Sequence, residues 1–348
     1  MKLLMPFKLV SLMSMRNFPS RYCHLCLEKF STSAAFFKYS PNPLSVFDRN
    51  AKRIQRDRAA LNEDVELFDY LKDEIGFRLA DRVFDVKRKF SVALDLGCGR
   101  GYVGKHLDNE AVEQLYQSEM SRPMLDQSRV SDQFPTYKLQ TDEEVLPFRD
   151  HCLDLVISCL SLHWINDLPG LFKQINRVLE PDGVFLASFF GGDTLYQLRC
   201  SLQLAELERE GGFSPHISPF TEVQDLGNLL NYAGFTLPTL DTDEITINYP
   251  SMFELMNDLK GMGENNASRN RKAKLNKDSM LASASIYKEL YGNKDGSIPA
   301  TFQIVNLIAW KPDPSQPKPA NRGSGTVSLK DIGNLSEILD DKNKNKKS

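Results

Sequence analysis

Short apolar segments alternate with amphipathic ones through the middle of the chain. Apolar runs bounded by turn residues predict buried strands, and the intervening segments have the 3.6-residue spacing of helices. The predicted strands are Ser91–Leu96, Glu113–Ser118, Tyr137–Gln140, Leu153–Cys159 and Val184–Phe189. A helix is predicted to begin with Val103–Leu107, and two more are predicted at Met124–Arg129 and Leu168–Leu179. The composition of Glu180–Gly183 predicts a turn. This alternation predicts an α/β protein with a parallel sheet covered by helices on both faces.

Helical patterns flank this alternating region. Asp48–Ala60 and Phe68–Leu79 precede it. After it the chain predicts helices over Thr194–Glu210 (capped by Asp193 or Thr194), Thr221–Ala233, Met252–Leu259 and Met280–Tyr291, and strands at Ile245–Ile247 and Thr301–Trp310. The pattern favours one domain with a helical insertion over two domains.

These patterns divide the chain into four parts. Residues 1–40 form a leader, and residues 41–89 form an N-terminal helical layer. Residues 90–312 form the α/β domain, with the helical insertion at about 190–232. Residues 313–348 are a Pro-rich and charged tail that we expect to be partly disordered.

A glycine-rich loop follows the first strand of the α/β domain. Leu94–Tyr102 ends the strand with Asp95 and then places Gly97, Gly99 and Gly101 at alternate positions. Glycine lets the backbone adopt positive φ and approach a bound molecule closely, and such a loop is the usual cradle of an adenosine-bearing cofactor. The G-x-G-x-G spacing differs from the G-x-G-x-x-G of dinucleotide-binding proteins and favours S-adenosylmethionine (SAM).

Acidic residues follow three successive strands of the predicted sheet. Asp95 can accept from the ammonium group of SAM or from a water, Glu119 from both ribose hydroxyls, and Asp142 from the adenine amino group. Ligands bind at the carboxyl ends of parallel strands, so these acids should meet at one edge of the sheet. With the three glycines, the predicted cofactor-binding residues are Asp95, Glu119, Met120, Asp142, Glu143 and Ser158.

Charge is distributed unevenly along the 348 residues. The formal net charge is −3, but the leader carries +5 and the remainder −8. An acidic body argues against nucleic acid as a partner, because phosphate contacts need clustered Lys and Arg. The basic leader, poor in acids, is typical of a mitochondrial transit peptide that is removed, and polar residues interrupt the apolar core that a secretory signal needs. Without a long apolar run, membrane association would be peripheral.

The histidines and cysteines do not predict a metal site. Cys23-x-x-Cys26 has no second pair at zinc spacing and lies in the leader, and the other four cysteines are scattered. A non-haem iron site needs two histidines and a carboxylate arranged around one face of the metal, and no such triad can be assigned. His106-Leu107-Asp108 has a suitable spacing, but we expect it to face away from the cofactor.

Motifs beyond the cofactor loop resemble those of known protein families. Residues 90–190 resemble the class I SAM-dependent methyltransferases, whose fold is a Rossmann-like, mostly parallel seven-stranded sheet. Residues 45–328 closely resemble the mitochondrial complex I assembly factor 5 family of methyltransferase-like proteins, and more distantly the malonyl-carrier-protein O-methyltransferases. The motifs that carry the closer resemblance are Asn42–Arg49, Phe68–Lys72, Ser158–Trp164, Phe190–Leu195, Arg199–Glu206 and Glu210–Phe220.

The resemblance implies a reaction that the residues alone do not supply. It implies a protein on the matrix side of the inner membrane, peripheral to it, that hydroxylates an arginine of a core matrix-arm subunit of complex I early in assembly, together with other assembly factors. SAM delivers methyl groups, so hydroxylation needs a separate oxidant or metal. Candidate catalytic residues are His163, Trp164, Glu206 and His216. Methyl transfer to a protein or small molecule, and a non-enzymatic role as an assembly chaperone, stay open as alternatives.

Overall fold

The structure is a computed structural model that describes residues 45–272, 274–318, 320 and 322–324. The predicted leader, with Cys23, His24 and Cys26, lies outside the described residues, as does the tail beyond residue 324. Helices are α1 (Arg49–Ala60), α2 (Tyr70–Asp85), α3 (Arg122–Asp126), α4 (Leu168–Val178), α5 (Tyr196–Glu210), α6 (Val223–Tyr232), α7 (Met252–Gly261) and α8 (Lys277–Tyr291). Short 3₁₀ turns lie at Val65–Phe68, Gly104–His106 and Leu162–Trp164.

Seven strands form one sheet. They are β1 (Ala93–Leu96), β2 (Leu115–Glu119), β3 (Thr136–Gln140), β4 (Leu153–Cys159), β5 (Leu179–Phe190), β6 (Thr236–Tyr249) and β7 (Ile298–Trp310). Their order is β3-β2-β1-β4-β5-β7-β6, and β7 runs antiparallel to both of its neighbours while the first five strands are parallel. The structure therefore confirms the predicted α/β fold with a mostly parallel seven-stranded sheet.

Each face of the sheet carries its own hydrophobic core. Along β4, Leu155 and Ile157 face the core that includes Ile75 of α2, whereas Val156 faces the core that includes Phe172 of α4. Both faces are buried because successive side chains of a strand point to opposite sides and helices cover each side. This explains why β4 is an almost continuous apolar run in the sequence.

The segment after the glycine loop differs from the prediction. A helix was expected from Val103, but the chain forms only the 3₁₀ turn Gly104–His106 and is extended again at Leu107. Closely spaced glycines lower helix propensity, and the neighbouring α2 packs tightly here. A Cβ on Gly76 of α2 would lie 2.5 Å from the carbonyl oxygen of Tyr102. His106 lies beside Phe77 of α2, with ring centroids 5.3 Å apart.

Two other boundaries are corrected. The predicted turn Glu180–Gly183 belongs to β5, which begins at Leu179 and accommodates Asp182 at a φ of +61° with a register shift against β4. Helix α5 begins at Tyr196 after Leu195, whose φ is +56°, without a side-chain cap from Asp193 or Thr194. The hydroxyl of Thr194 instead donates to the carbonyl of Gln303 in β7.

The remaining elements lie close to their predicted positions. Strand β6 is much longer than Ile245–Ile247, because it pairs with β7 along its whole length. Helices α1 and α2 lie within residues 41–89 and α5 and α6 within residues 190–232, and the domain boundaries themselves stay predictions. The described residues from Asp313 to Ser324 belong to a unit separate from the domain that ends at Pro312. Among the described residues, no helix combines the length and the apolar character that crossing a membrane requires.

Candidate functional site

The glycine loop follows β1 and contacts the carboxyl end of β2, where the amide of Cys98 donates to the carbonyl oxygen of Ser118 at 2.9 Å. Gly97, Gly99 and Gly101 have φ values of +69°, +56° and +76°, in the left-handed region that other residues rarely adopt. A Cβ on Gly97 would lie 2.2 Å from the Oγ of Ser161. The loop therefore takes the conformation expected of a backbone cradle, and at Gly97 only hydrogen fits.

Asp95 is buried near the end of β1 without a hydrogen-bond partner in the described part of the chain. It is 1% exposed, and neither of its carboxylate oxygens has a donor among these residues. Burial and the nearby Glu119 carboxylate raise the pKa of Asp95 to about 8. A buried polar group without a partner is costly, so this carboxylate is prepared for a donor that a ligand brings. The ammonium group of SAM has the required chemistry.

Glu119 ends β2, where the sequence predicts contact with the ribose, and it already has several donors. Arg56 of α1 donates from Nη1 to both of its oxygens, at 2.9 and 3.3 Å. The backbone amide of Gly99 donates to it at 3.2 Å and that of Ser121 at 3.0 Å. The carboxylate is fully buried. In this arrangement Glu119 holds α1 and the glycine loop together.

The acids after β3 also bind arginines of α1. Arg49 donates to Asp142 at 2.7 Å and to Glu143. Arg56 donates to Glu143 as well, and its Nη2 lies 2.8 Å from the Oγ of Ser161. Although burial alone would raise the pKa of Glu143, the guanidinium groups of Arg49 and Arg56 lower it to about 2. We name Glu119, Asp142 and Glu143 the acid cluster.

Two predicted cofactor residues have structural contacts. The Oγ of Ser158 donates to the carbonyl oxygen of Leu96 at 2.7 Å, which ties β4 to β1. Met120 is fully buried directly after β2. Their part in cofactor binding stays a prediction, as it does for the acids and the glycines.

His163 and Trp164 lie beyond β4 around a buried carboxylate that sequence reasoning missed. Glu264, in the loop after α7, accepts from the Nε1 of Trp164 at 2.9 Å and lies 3.4 Å from the Nε2 of His163. Its other oxygen pairs with Lys72 of α2 at 2.6 Å. The Nζ of Lys52 lies 3.3 Å from the centre of the Trp164 ring. Burial lowers the pKa of His163, which favours the neutral imidazole.

Glu206 and His216 form a second pair, in the insertion. The carboxylate of Glu206 is buried and binds the Nε2 of His216 at 2.8 Å, the backbone amide of Ser214 at 2.7 Å and the Nζ of Lys272 at 2.8 Å. Glu206 therefore anchors the loop that carries His216, whereas Phe213 of that loop is exposed.

Of the four candidate catalytic residues, His216 lines a cavity of about 160 Å³, whereas His163, Trp164 and Glu206 do not line it. His216, Glu264, Phe190 and Phe220 line it together with aliphatic side chains. The ring of His163 lies 4.9 Å from that of Phe190 and 5.6 Å from that of Phe220. The cavity is apolar with a few converging polar groups, as ligand sites commonly are. In the described part of the chain, no group of three or more His, Cys, Asp and Glu side chains could hold a metal ion.

Comparison with known proteins assigns the family. The Methyltransferase domain profile matches residues 94–187, which include β1, the glycine loop and most of β5. A relative from Mus musculus named "Arginine-hydroxylase NDUFAF5, mitochondrial" is 58% identical over 300 residues, covering 86% of this chain and 87% of its own. The chain belongs to the NDUFAF5 family of mitochondrial arginine hydroxylases. The family resemblance read from the motifs is thereby confirmed.

More distant relatives share the fold. A malonyl-[acyl-carrier protein] O-methyltransferase of Gallionella capsiferriformans is 30% identical over 279 residues, covering 77% of this chain and 93% of its own. Among solved structures, the YcgJ protein of Bacillus subtilis aligns with 68% of this chain and 98% of its own, at 14% identity and a TM-score of 0.47. Asp95 and the acid cluster all lie within the segment that matches the Methyltransferase domain profile.

Proposed function

We propose that this protein binds SAM at the glycine loop and hydroxylates an arginine of a core matrix-arm subunit of mitochondrial complex I, as an early step of complex assembly. Membership of the NDUFAF5 family supports the reaction. The names of the relatives support a mitochondrial location, and we place the protein on the matrix side of the inner membrane, peripheral to it.

The observation that carries SAM binding is the buried carboxylate of Asp95 beside the glycine loop. It has no donor among the described residues, and the ammonium group of SAM is a donor of the required kind. SAM carries no phosphate, so a site lined with acids suits it better than it suits a nucleotide. SAM supplies an electrophilic methyl group and a positive charge when bound.

The residues that line the cavity suit the binding of an arginine side chain. Phe190 and Phe220 offer flat ring faces to a guanidinium group, and Glu264 offers a carboxylate in the same cavity. Glu206 holds the loop that carries His216, and His216 lines this cavity. Hydroxylation replaces a C–H bond of the arginine by C–OH and adds one oxygen atom, which an external oxidant must provide.

Methyl transfer is a second candidate reaction. The Methyltransferase domain match and the similarity to an O-methyltransferase support it. The two reactions leave different masses on the product, since a hydroxyl group adds 16 and a methyl group adds 14.

Mass spectrometry of complex I subunits from cells that lack the protein separates the candidates. Loss of +16 from one arginine, restored by the wild type, supports hydroxylation, and loss of +14 supports methylation. Complementation with Asp95→Asn and with the exposed-residue control Glu113→Gln tests the SAM site. If assembly fails while neither mass changes, the protein is an assembly chaperone and the proposed enzymatic function is wrong.

A further inference from the structure

Helix α1 buries its basic side chains and exposes an apolar one. Arg49, Lys52 and Arg56 are 2%, 0% and 4% exposed, whereas Ile54 on the same helix is 42% exposed. The three basic residues lie at positions i, i+3 and i+7, so they form one stripe of the helix. A surface helix normally has the opposite pattern, with its apolar stripe against the core.

Ion pairs and hydrogen bonds, more than apolar contacts, hold α1 in place. Arg49 and Arg56 bind the acid cluster, and Lys52 donates to the carbonyl oxygens of Gly263 and Asn265 at 3.0 and 2.8 Å. The apolar part of the buried face consists of Ala59 and Ala60. Removing charges from water offsets much of the attraction within a buried ion pair. A segment with few buried apolar contacts opens at low cost.

Arg56 and a bound ribose compete for the carboxylate oxygens of Glu119. An ionised carboxylate offers about four lone-pair positions. At Glu119, Arg56 reaches both oxygens, while the amides of Gly99 and Ser121 take one oxygen each. A ribose that donates two hydroxyl groups to Glu119 can do so only when Arg56 has left. The seated α1 and a nucleoside bound to Glu119 therefore exclude each other.

We propose that the acid cluster is a guanidinium-binding site whose internal occupants are Arg49 and Arg56 of α1, and that α1 is a latch which the nucleoside part of SAM displaces from Glu119. This inference rests on the proposed binding of SAM. Asp95, which is 1% exposed, accepts no hydrogen bond from an arginine of the described residues, so the latch does not occupy it. The latch closes the cofactor pocket in the state described by the structure.

Release of the latch also removes contacts that hold one wall of the cavity. Lys52 leaves with α1, and its two hydrogen bonds hold the loop that carries Glu264 and Asn265, both of which line the cavity. The contact between Lys52 and Trp164 is lost at the same time. The cofactor thus loosens one wall of the cavity, and we expect SAM to bind before the arginine substrate.

Calorimetric titration of SAM into the full protein tests the latch with Arg56→Gln. The apparent dissociation constant of the wild type equals the intrinsic constant divided by the fraction of molecules in which α1 has opened. We expect Arg56→Gln to bind SAM about tenfold more tightly or better. The matched control is Arg53→Gln, on the same helix, whose side chain is 35% exposed and pairs with Asp57; it should leave SAM affinity unchanged. Equal or weaker binding by Arg56→Gln overturns the latch.

Hydrogen exchange of the wild-type protein tests the latch independently if Arg56→Gln does not fold. Saturating SAM should speed exchange of the α1 amides by tenfold or more and leave α4, on the other side of the sheet, unchanged. Slower or unaltered exchange in α1 with SAM bound overturns the latch but not SAM binding. If neither the wild type nor a folded Arg56→Gln binds SAM, the proposed cofactor itself is wrong and the latch with it.

Discussion

Arg56 of helix α1 and Glu119 of strand β2 are 63 positions apart in the chain and meet in the interior of the fold. The Nη1 of Arg56 lies 2.9 Å from one oxygen of Glu119 and 3.3 Å from the other, and both side chains are buried. Glu143 binds the same guanidinium group from the other side. The negative charge at the predicted cofactor site is thus largely neutralised by the chain itself, whereas Asp95 keeps both oxygens without a donor.

Replacing Glu119 should weaken SAM binding. Glu119→Gln keeps the shape of the side chain but removes its charge, and hydrogen bonds to a charged group contribute about 1.5–3 kcal/mol. We therefore expect affinity to fall about ten- to hundredfold in calorimetry. Glu113→Gln, whose side chain is 56% exposed just before β2, is the control and should bind normally. Wild-type affinity in Glu119→Gln would remove Glu119 from the cofactor site.

Asp95 should make stability fall as pH rises. Its pKa is about 8 in the folded protein, against about 3.9 in an unfolded chain. Between these values the folded state binds the extra proton, so the free energy of unfolding decreases with increasing pH. Asp95→Asn lacks this proton, and its melting temperature relative to the wild type should rise from pH 5 to pH 8. Asp81→Asn, on the exposed face of α2, should show no such trend, and a flat difference for Asp95→Asn would contradict the assigned environment.

Gly101 should tolerate no side chain. A Cβ there would lie 2.5 Å from the carbonyl oxygen of Arg129, and its φ is +76°. Gly101→Ala should cost about 1–3 kcal/mol from the backbone conformation alone, with the collision adding to it. Gly192→Ala is the control, since no atom lies within 4 Å of its Cβ position. Urea unfolding measures both, and equal midpoints would mean that the glycine loop is less tightly packed than described.

Glu206 should control the mobility of the insertion loop. Glu206→Gln loses the charge that binds Lys272 and His216, which weakens both contacts. Amide exchange over residues 211–220 should therefore accelerate. Glu208→Gln, on the same helix with a side chain that is 62% exposed, should leave exchange unchanged. If both variants behave alike, Glu206 is not the anchor of this loop.

The glycine loop and the three acids at the strand ends could be predicted from the sequence. Parallel strands end at a common edge, so Asp95, Glu119 and Asp142 meet there whatever the details of packing. Arg49 and Arg56 were not identified, although their spacing of seven residues places them on one side of a helix. A charged helical stretch in a sequence normally faces solvent, and nothing local distinguishes a basic stripe that pairs with buried acids.

Glu264 was missed for a related reason. It stands in a loop without a recognisable motif, and its partners Lys72 and Trp164 are distant in the chain. The helix predicted after the glycine loop does not form, because α2 packs closely against this segment and the closely spaced glycines lower its helix propensity. In both cases contacts between distant segments decided the outcome, and these have no signature in a short window of sequence.

The sequence by itself determined the α/β fold, the glycine loop, the positions of the acids and the family, because each depends on local spacing and on the geometry of parallel strands. Only the tertiary structure decided which partners those acids take. Arg56 reaches Glu119 across 63 positions of chain and Glu143 across 87. Burial makes such pairing compulsory, since an ionised side chain removed from water needs an opposite charge or a hydrogen-bond donor. The helix that supplies the opposite charge is chosen by how the whole chain packs.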